Sequence, residues 1–443
     1  MHRYSDSLES CDLQFGFKRN RSTAMCTMIV KEAISLYTNS GSTVHCVFLD
    51  SSKAFDRVEY CKLFKLLLDR HVPPHVIRLL LNMYTGQQVR VLWNGVSSCN
   101  FSVSNGVKQG AIISPILFCV YLDTLLIELK KVGVGCFIGS WFVAALAYAD
   151  DVVLLAPTAR AMRTMLAVCH KFATEFNVIF NAKKSKCITF NAHKHLFAHA
   201  PYLHTTPPLF SIGGNNIESV SSWSHLGHLF NANLLDDDDI LARRNSLIGQ
   251  INSFLCHFSK VDVLVKNALF RVYCSSHYGS ELWDLTNHKI EDYCVAWRKG
   301  LRKLWKLPYD CSRLNVSVVS NTVPIFDELC RRFTNFIYSC LHCDSLFVQS
   351  VVLHGISARM NSPIGRNVAF CSAHFNQRIS CIGVSKLSSY NCLEMCNKRM
   401  DQLLVARADI LREVLLIRDG ILEFSSDLFD LSDSNNLILS LSR

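Results

Sequence analysis

Two apolar runs that each break off on aspartate constrain this chain more than any other feature. One is Val44 to Leu49, followed by Asp50. The other is Trp141 to Tyr148, which meets Ala149-Asp150-Asp151 and resumes as Val152 to Leu155. Short, continuous apolar runs suit strands covered on both faces. A carboxylate closing such a strand sits at the margin of the sheet. On neighbouring central strands, Asp50 and Asp150 would meet at one sheet edge, where two unpaired carboxylates repel and raise each other's pKa. Mg²⁺ removes that conflict, because carboxylate oxygen is the donor this hard cation prefers. An Asp-Asp pair in a turn is, by itself, ordinary turn chemistry.

Around these runs the pattern predicts helices and strands in alternation. A helix is expected over Arg21 to Thr38, with Met25, Met28, Ile29, Ala33 and Leu36 on one stripe. Val58 to Arg70 is helical, and Pro73-Pro74 opens a second helix to about Tyr84. Gln87 to Trp93 and Phe101 to Val103 form a hairpin around Asn94-Gly95. Ser114-Pro115 starts a long helix through Lys130, Cys136 to Ala149 reads as a buried strand, Thr158 to Glu175 is helical, and Cys187 to Phe190 is a strand. A hairpin around Gly213-Gly214 precedes a strand over Leu226 to Phe230. Beyond Leu235 the pattern is almost wholly helical, with Asp236 to Asp239 placed to complement a helix N-terminus.

Composition narrows the class. At 443 residues, 49% hydrophobic and only 19% charged, the chain is too apolar for intrinsic disorder and long enough for two or three packed units. Its formal charge of +10 suits a polyanionic partner without demanding one. No signal peptide is visible from Met1 to Asp6, and the Cys136 to Ala149 stretch falls short of the ~20 residues that cross a bilayer. The expected setting is therefore intracellular, nucleus or cytoplasm, with no membrane. The 20 cysteines are scattered rather than framing short loops, and read as reduced core thiols. Cys340-Leu341-His342-Cys343 and the Cys392/Cys396 pair lack the remaining ligands of a zinc site. The segment 191–208, with His193, His195, His199 and His204, reads as a solvated loop.

Several motifs then occur in a fixed order. Phe48-Leu49-Asp50-Ser51-Ser52-Lys53-Ala54-Phe55-Asp56 is followed by Gly106-Val107-Lys108-Gln109-Gly110-Ala111 with Ser114-Pro115, and then by Tyr148-Ala149-Asp150-Asp151. In these motifs the chain resembles the reverse transcriptase family, in its non-LTR, LINE-type retrotransposon branch. Gln14-Phe15-Gly16-Phe17 with Arg21-Ser22-Thr23 resembles the segment before the first catalytic strand of that branch. Asn181-Ala182-Lys183-Lys184-Ser185-Lys186 is similar to its later lysine motif. His225-Leu226-Gly227 resembles the primer-grip turn, with His where Tyr is more usual. A group II intron maturase is a cousin that the Gln14 to Thr23 and Phe48 to Asp56 wording fits less well.

The resemblance implies roles. Asp50 and Asp150 would be the principal metal ligands, with Asp151 as a third carboxylate, holding two Mg²⁺ ions, or Mn²⁺ in their place. Lys184 would assist the pyrophosphate as a general acid or point charge. Phe55 would act as a steric gate beneath the incoming sugar. Gln109 and Gly110 would line the nucleotide pocket and template path, and Ala149 would pack near the primer end. Leu226 and Gly227 would touch the primer. Lys53 and Asp56 could equally be a surface acid-base pair. On the helix through Trp297 to Lys306, Trp297, Leu301, Leu304 and Trp305 share an apolar side, while Arg298, Lys299, Arg302, Lys303 and Lys306 project from the other. In this family that basic face would belong to the thumb, so Arg298, Arg302 and Lys303 would grip nucleic-acid phosphates.

The implied architecture is an α+β right-hand polymerase with a split-βαβ palm, partial fingers, a helical thumb and a helical C-terminal extension. The expected boundaries are 1–40 for partial fingers, 41–234 for the palm with a fingers insertion at about 58–104, 235–310 for the thumb-like region, and 311–443 for a helical region of unassigned role. Nothing before Gln14 resembles the upstream Arg-Pro-Ile type segment that binds the triphosphate, so the fingers are expected to be truncated. The implied function is RNA-directed DNA polymerisation from dNTPs, with an RNA template and a DNA primer as partners. The alternative is a catalytically silent, nucleic-acid-binding remnant.

Overall fold

Strand β1 (Val44–Leu49) is buried along its whole length, which is why its sequence is almost unbroken in apolarity. Its one polar side chain, His45, pairs through Nδ1 with Thr189 Oγ1 at 3.1 Å. In the computed structural model the described residues are 5–191 and 208–375. The four histidines of segment 191–208 and the Cys392/Cys396 pair lie outside them.

Ahead of β1 come a single helical turn, α1 (Ser5–Leu8), and the long helix α2 (Thr23–Asn39). Ser22 caps α2 by accepting from the Met25 amide, and Met25, Met28, Ile29 and Ala33 of the expected stripe are buried. After β1 follow α3 (Tyr60–Asp69), α4 (Pro74–Tyr84), and the short strands β2 (Gln87–Val89), β3 (Leu92–Trp93), β4 (Val96–Ser97) and β5 (Phe101–Val103). Asn94 and Gly95 turn this hairpin with φ of +48° and +82°, the type I′ geometry that matches strand twist. Helix α5 (Ser114–Val132) ends on left-handed Gly133.

The stretch Cys136 to Ala149 is not the single strand its hydropathy suggests. It folds as β6 (Phe137–Ile138), β7 (Trp141–Phe142) and β8 (Ala145–Tyr148), because Gly139, at φ +59°, reverses the chain between β6 and β7. Then come β9 (Asp151–Ala156), α6 (Ala159–Glu175), β10 (Lys186–Phe190), β11 (Phe210–Ile212) and β12 (Asn215–Ser219). Leu226 to Phe230 is likewise not one strand. Leu226 and Gly227 form the turn between β13 (Ser222–His225) and β14 (His228–Asn231), with φ of +49° and +76°.

The main sheet has the order β11-β12-β10-β1-β9-β8. β1 is antiparallel to both neighbours, with His45 opposite Ala156 and Leu49 opposite Val152 on one side, and Val44 opposite Phe190 on the other. Helices α2, α5 and α6 pack against this sheet. Sheet and helices together make the α+β layer that the resemblance implied for this part of the chain.

The rest is helical: α7 (Asp237–His257), α8 (Val263–Cys274), α9 (Lys289–Trp305), α10 (Arg313–Val319), α11 (Ile325–Leu341), α12 (Leu346–Ala358) and α13 (Pro363–His374). α12 and α13 fold back onto α2. Phe347 of α12 packs between Phe15 and Trp141, and Asn39 donates to the Asn361 carbonyl at 2.7 Å. Cys340 and Cys343 are buried where α11 turns into α12, with Cys343 Sγ directed at the Cys340 carbonyl. No helix among the described residues is long and apolar enough to cross a membrane.

The aspartates before α7 do more than cap it. Buried Asp236 accepts from Lys31 Nζ of α2 at 2.5 Å and from the Asp284 amide at 2.7 Å. Asp239 accepts from the Leu229 amide and from Trp283 Nε1. Burial alone would raise the Asp236 pKa, but the Lys31 ammonium and His228 hold it well below the usual carboxylate range. Only the dipole part of the cap expectation stands, in Asp237 and Asp238 of the first turn.

A second buried carboxylate behaves in the opposite way. Glu32 accepts from Ser362 Oγ at 2.7 Å and from the Ile364 amide at 2.8 Å, joining α2 to the start of α13. Burial pushes its pKa up to about 7. The folded state therefore holds a proton that the unfolded chain releases at the ordinary carboxylate value. This contribution to stability is full at acid pH and is lost as pH rises through about 7. Glu32→Gln keeps an acceptor for the Ile364 amide and a donor for Ser362 Oγ. The expected outcome is a Tm above wild type at pH 8 and a gap that closes toward pH 5, measured by thermal unfolding across that range.

Candidate active site at the β8–β9 turn

β8 and β9 are joined by two residues only, Ala149 and Asp150, with Tyr148 opposite Asp151. The β1–β9 register ends at Leu49 opposite Val152. One residue further it brings Asp50 alongside Asp151, with Asp150 at the adjoining turn. The three carboxylates are thus gathered at one end of the central strand pair. Burial raises the pKa of Asp150, and Asp50 adds to the effect. Asp151 is pushed up to about 6 by burial and by its neighbours Asp150 and Asp50. Among the described residues no three His, Cys, Asp or Glu side chains close into a ready-made cation site; like charges without a counter-ion do not converge. The donor set nevertheless suits a hard divalent cation, which relieves both the repulsion and the burial cost.

The turn itself is built from an unexpected quarter. Ala149 sits at φ +56°, a left-handed conformation costly for a residue with a Cβ. Gln14, fully buried, holds it there. Gln14 Oε1 accepts from the amides of Ala149 and Gly16, both at 2.9 Å, and Gln14 Nε2 donates to the Ala149 carbonyl at 3.2 Å. The Phe15 amide donates to the Ala147 carbonyl at 2.7 Å. Gly16 passes so close that a Cβ there would overlap the Ala149 amide. The Gln14-Phe15-Gly16 segment is thus a clamp on the Asp150 turn. The sequence carries it as a motif, but its target lies 135 residues away.

Asp50 is held from the other side. Its amide donates to Ser185 Oγ at 3.1 Å, and its carbonyl accepts from the Asn181 amide at 2.8 Å. The Asn181 to Lys186 motif therefore supports Asp50 through Ser185 and Asn181, two residues given no role by the sequence. Lys184, expected to assist the pyrophosphate as a general acid or point charge, is exposed on this turn. Phe55 is half-buried, with its ring stacked on Phe118 at 4.9 Å and its carbonyl accepting from the Val107 amide. That bond ties the motif around Gln109 and Gly110 to the turn after β1. Gln109 and Gly110 are exposed, and Gly110 has φ +85°. Lys53 and Asp56 are also exposed, linked by a backbone bond from the Asp56 amide to the Lys53 carbonyl.

The β13–β14 turn approaches the same sheet. His225 packs against Phe48 of β1 with ring centroids 4.9 Å apart, and burial drives its pKa down to about 4, so it is neutral. The Leu226 carbonyl accepts from Tyr278 Oη at 3.2 Å and the Gly227 carbonyl from Arg243. Tyr278 in turn meets Thr23 Oγ1 at 3.0 Å. Thr23, Arg243 and Tyr278 come from three separate segments, so no local pattern marks them.

On α9 the structure corrects the basic face. Trp297, Leu301, Leu304 and Trp305 are buried as expected. Arg298, however, is committed to Glu291 at 2.5 Å, and Arg302 donates to the Cys311 carbonyl at 2.7 Å. Both are half-buried. Lys299 and Lys303 remain exposed, beside Arg244 of α7 in a groove between the two helices. A helical wheel cannot see that Glu291 and the Cys311 carbonyl lie within reach.

Comparison with known proteins identifies what this chain is similar to. The family described as reverse transcriptase (RNA-dependent DNA polymerase) matches residues 6–229, just over half of the chain. The chain is 31% identical over 187 residues to a retrovirus-related Pol polyprotein from the type-2 retrotransposable element R2DM of Drosophila melanogaster, covering 42% of this chain and 17% of that protein. It is 28% identical over 235 residues to a Pol polyprotein from the type-1 retrotransposable element R2 of Popillia japonica, covering 52% of this chain and 32% of that one. The chain thus spans a third or less of the length of these relatives. Among solved structures, apo telomerase from Candida Tropicalis aligns with 93% of this chain and 59% of its own, at 10% identity and a TM-score of 0.41.

Gln14→Ala leaves two amides and a carbonyl without partners in a buried place. A loss of about 2–4 kcal/mol in unfolding free energy is expected, read from urea denaturation. Gly16→Ala, which forces the clamp away from the turn, is expected to lose at least as much.

Proposed function

The chain belongs to the reverse transcriptase family, and from that premise we propose that it extends a DNA primer along an RNA template by adding deoxynucleotides at a two-metal carboxylate site. The observation that carries this reading is the gathering of Asp50, Asp150 and Asp151 at one end of the β1–β9 pair, with the Asp150 and Asp151 pKa values raised by burial and mutual charge. Asp50 and Asp150 would be the principal ligands and Asp151 the third. Bound there, Mg²⁺ or Mn²⁺ supplies positive charge for the attacking 3′-oxygen and the departing pyrophosphate.

The chain's own residues do the positioning. Gln14 and Gly16 fix the turn, so the carboxylates need not reorganise when substrates arrive. Phe55, braced by Phe118, is placed beside the turn after β1 as a wall against a 2′-hydroxyl. Gln109 and Gly110 are exposed and would line the nucleotide pocket and template path, and buried Ala149 would pack near the primer end. Lys184 is free to reach the pyrophosphate. The Leu226-Gly227 turn, latched by Tyr278 and Arg243, would bear on the primer strand. Lys299, Lys303 and Arg244 replace Arg298 and Arg302 as the phosphate-contacting set. In domain terms, 41–234 serves as palm and 235–310 as thumb, with 58–104 as a fingers insertion.

Primer extension on poly(rA)/oligo(dT) with Mg²⁺ tests the proposal. Wild type is expected to extend, and Asp150→Asn/Asp151→Asn to lose extension by at least about a hundredfold while keeping primer–template affinity. No extension by wild type, with salt-sensitive binding retained, would favour the silent nucleic-acid-binding remnant. Lys299→Ala/Lys303→Ala is expected to weaken duplex binding and flatten the dependence of log affinity on log salt by about two, measured by fluorescence anisotropy.

A further inference from the structure

The corner between α11 and α12 directs two side chains at the start of the chain. Cys343 Sγ donates to the Cys340 carbonyl at 3.0 Å and Gln349 Nε2 to the Cys343 carbonyl at 2.8 Å, which closes the corner tightly. Ser345 then caps α12, its Oγ accepting from the Val348 amide at 3.4 Å. The same hydroxyl donates to Asp12 Oδ1 at 3.1 Å, 333 residues earlier in the chain. Two positions on, Phe347 is 1% exposed. Its ring centroid lies 6.4 Å from that of Phe15 and 5.7 Å from that of Trp141.

Both neighbours of Phe347 lead directly to the catalytic turn. Phe15 stands between Gln14, which binds Ala149, and Gly16, which passes against it. The Phe15 amide donates to the Ala147 carbonyl at 2.7 Å, and the Ala147 amide to the Leu13 carbonyl at 2.9 Å. Residues 13–15 thus run as a short parallel ribbon beside β8, with Gln14 opposite Ala147. On the other side, Trp141 belongs to β7, and β8 begins at Ala145, shortly after it. Asp12 is tied to the same ribbon. It pairs with Arg21 at 2.8 Å, and the Arg21 guanidinium sits 5.2 Å from the centre of the Phe15 ring.

Ala149, at φ +56°, is strained, and such backbone persists only where its surroundings over-determine it. Gln14 supplies the hydrogen bonds, but the place of Gln14 depends on what backs residues 13–15. β8 is an edge strand of the main sheet, and one bridge to an edge strand fixes so short a ribbon weakly. A buried ring wedged against both the ribbon and β7 fixes it firmly, because a close-packed interior resists displacement. Without that ring a void stands behind the clamp.

We propose that the α11–α12 corner braces the catalytic turn, with Phe347 and Ser345 as positioning residues that hold the Gln14–Gly16 clamp against Ala149 and, through it, fix Asp150. The effect on turnover rests on the polymerase reading; the effect on the turn does not. The helices beyond residue 311 thereby take part in the site without touching substrate.

The test is hydrogen exchange of the full chain, read by mass spectrometry in peptides covering 145–152, together with primer extension. Phe347→Ala is expected to speed exchange in 145–152 about tenfold, the equivalent of one lost buried hydrogen bond, while β10 keeps its protection. Phe347→Leu, which refills most of the space, is expected to restore slow exchange. In extension, Phe347→Ala is expected to lower kcat about tenfold and leave the KM for primer–template unchanged. Phe326→Ala removes a ring packed on Phe370 of α13 rather than on the clamp, and is expected to change neither readout. Should Phe347→Ala fail to fold, Ser345→Asp decides. It keeps a capping oxygen for α12 but sets a carboxylate against Asp12, and is expected to speed exchange in 145–152 about threefold. Exchange there that is unchanged in these variants, or that rises equally in β10, overturns the brace. Faster exchange confined to 145–152, in a chain whose wild type extends no primer, supports the brace and tells against the polymerase reading, so the two failures are distinguishable.

Discussion

One buried amide side chain, that of Gln14, sets the conditions for the rest of the site. A two-residue turn between β8 and β9 brings Asp150 and Asp151 within reach of Asp50, but places Ala149 in a left-handed conformation inside the protein. Backbone groups left unpaired there would cost more than the turn returns. Gln14 satisfies both polar groups of Ala149 and the amide of Gly16, and the missing Cβ of Gly16 lets the two backbones meet. With the turn held, strand pairing alone brings the third carboxylate alongside.

The helices that follow the sheet are positioned by charges rather than by a continuous sheet. Lys31 of α2 reaches Asp236 before α7 and the Leu282 carbonyl beyond α8. Asp284 binds Arg366 of α13, and Glu32 binds the start of that helix. Buried ion pairs add little net stability, since desolvation offsets their attraction. Their value here is orientation: each needs a specific partner from a distant segment. The helices after residue 311 are therefore part of the same body as α2, which they meet through Asn361 and Ser362, while Phe347 packs on Phe15 and Trp141.

Charge is divided along the same lines. Two groups of carboxylates stand out, Asp50 with Asp150 and Asp151 at the strand ends, and Asp236 to Asp239 at the start of α7. Exposed Lys299 and Lys303 of α9 lie beside Arg244 of α7.

What the sequence determined by itself was local or one-dimensional. β1 was legible because a strand buried on both faces must be apolar throughout. The Asn94-Gly95 and Gly213-Gly214 turns were legible because left-handed backbone selects those residues. The strand ends at Asp50 and Asp150-Asp151 were legible because each carboxylate breaks off an apolar run, although only the motifs around them lift the Asp-Asp pair above ordinary turn chemistry. The split of Cys136 to Ala149 into three strands was missed, since hydropathy does not register where a chain reverses inside the core. Which arginines of α9 stay available was decided by Glu291 and the Cys311 carbonyl, and the clamp on the catalytic turn by a glutamine 135 residues upstream. These are pairings between groups far apart in the chain. Only the tertiary structure decides them, because a side chain's chemistry depends on which partner folding brings within about 3 Å of it.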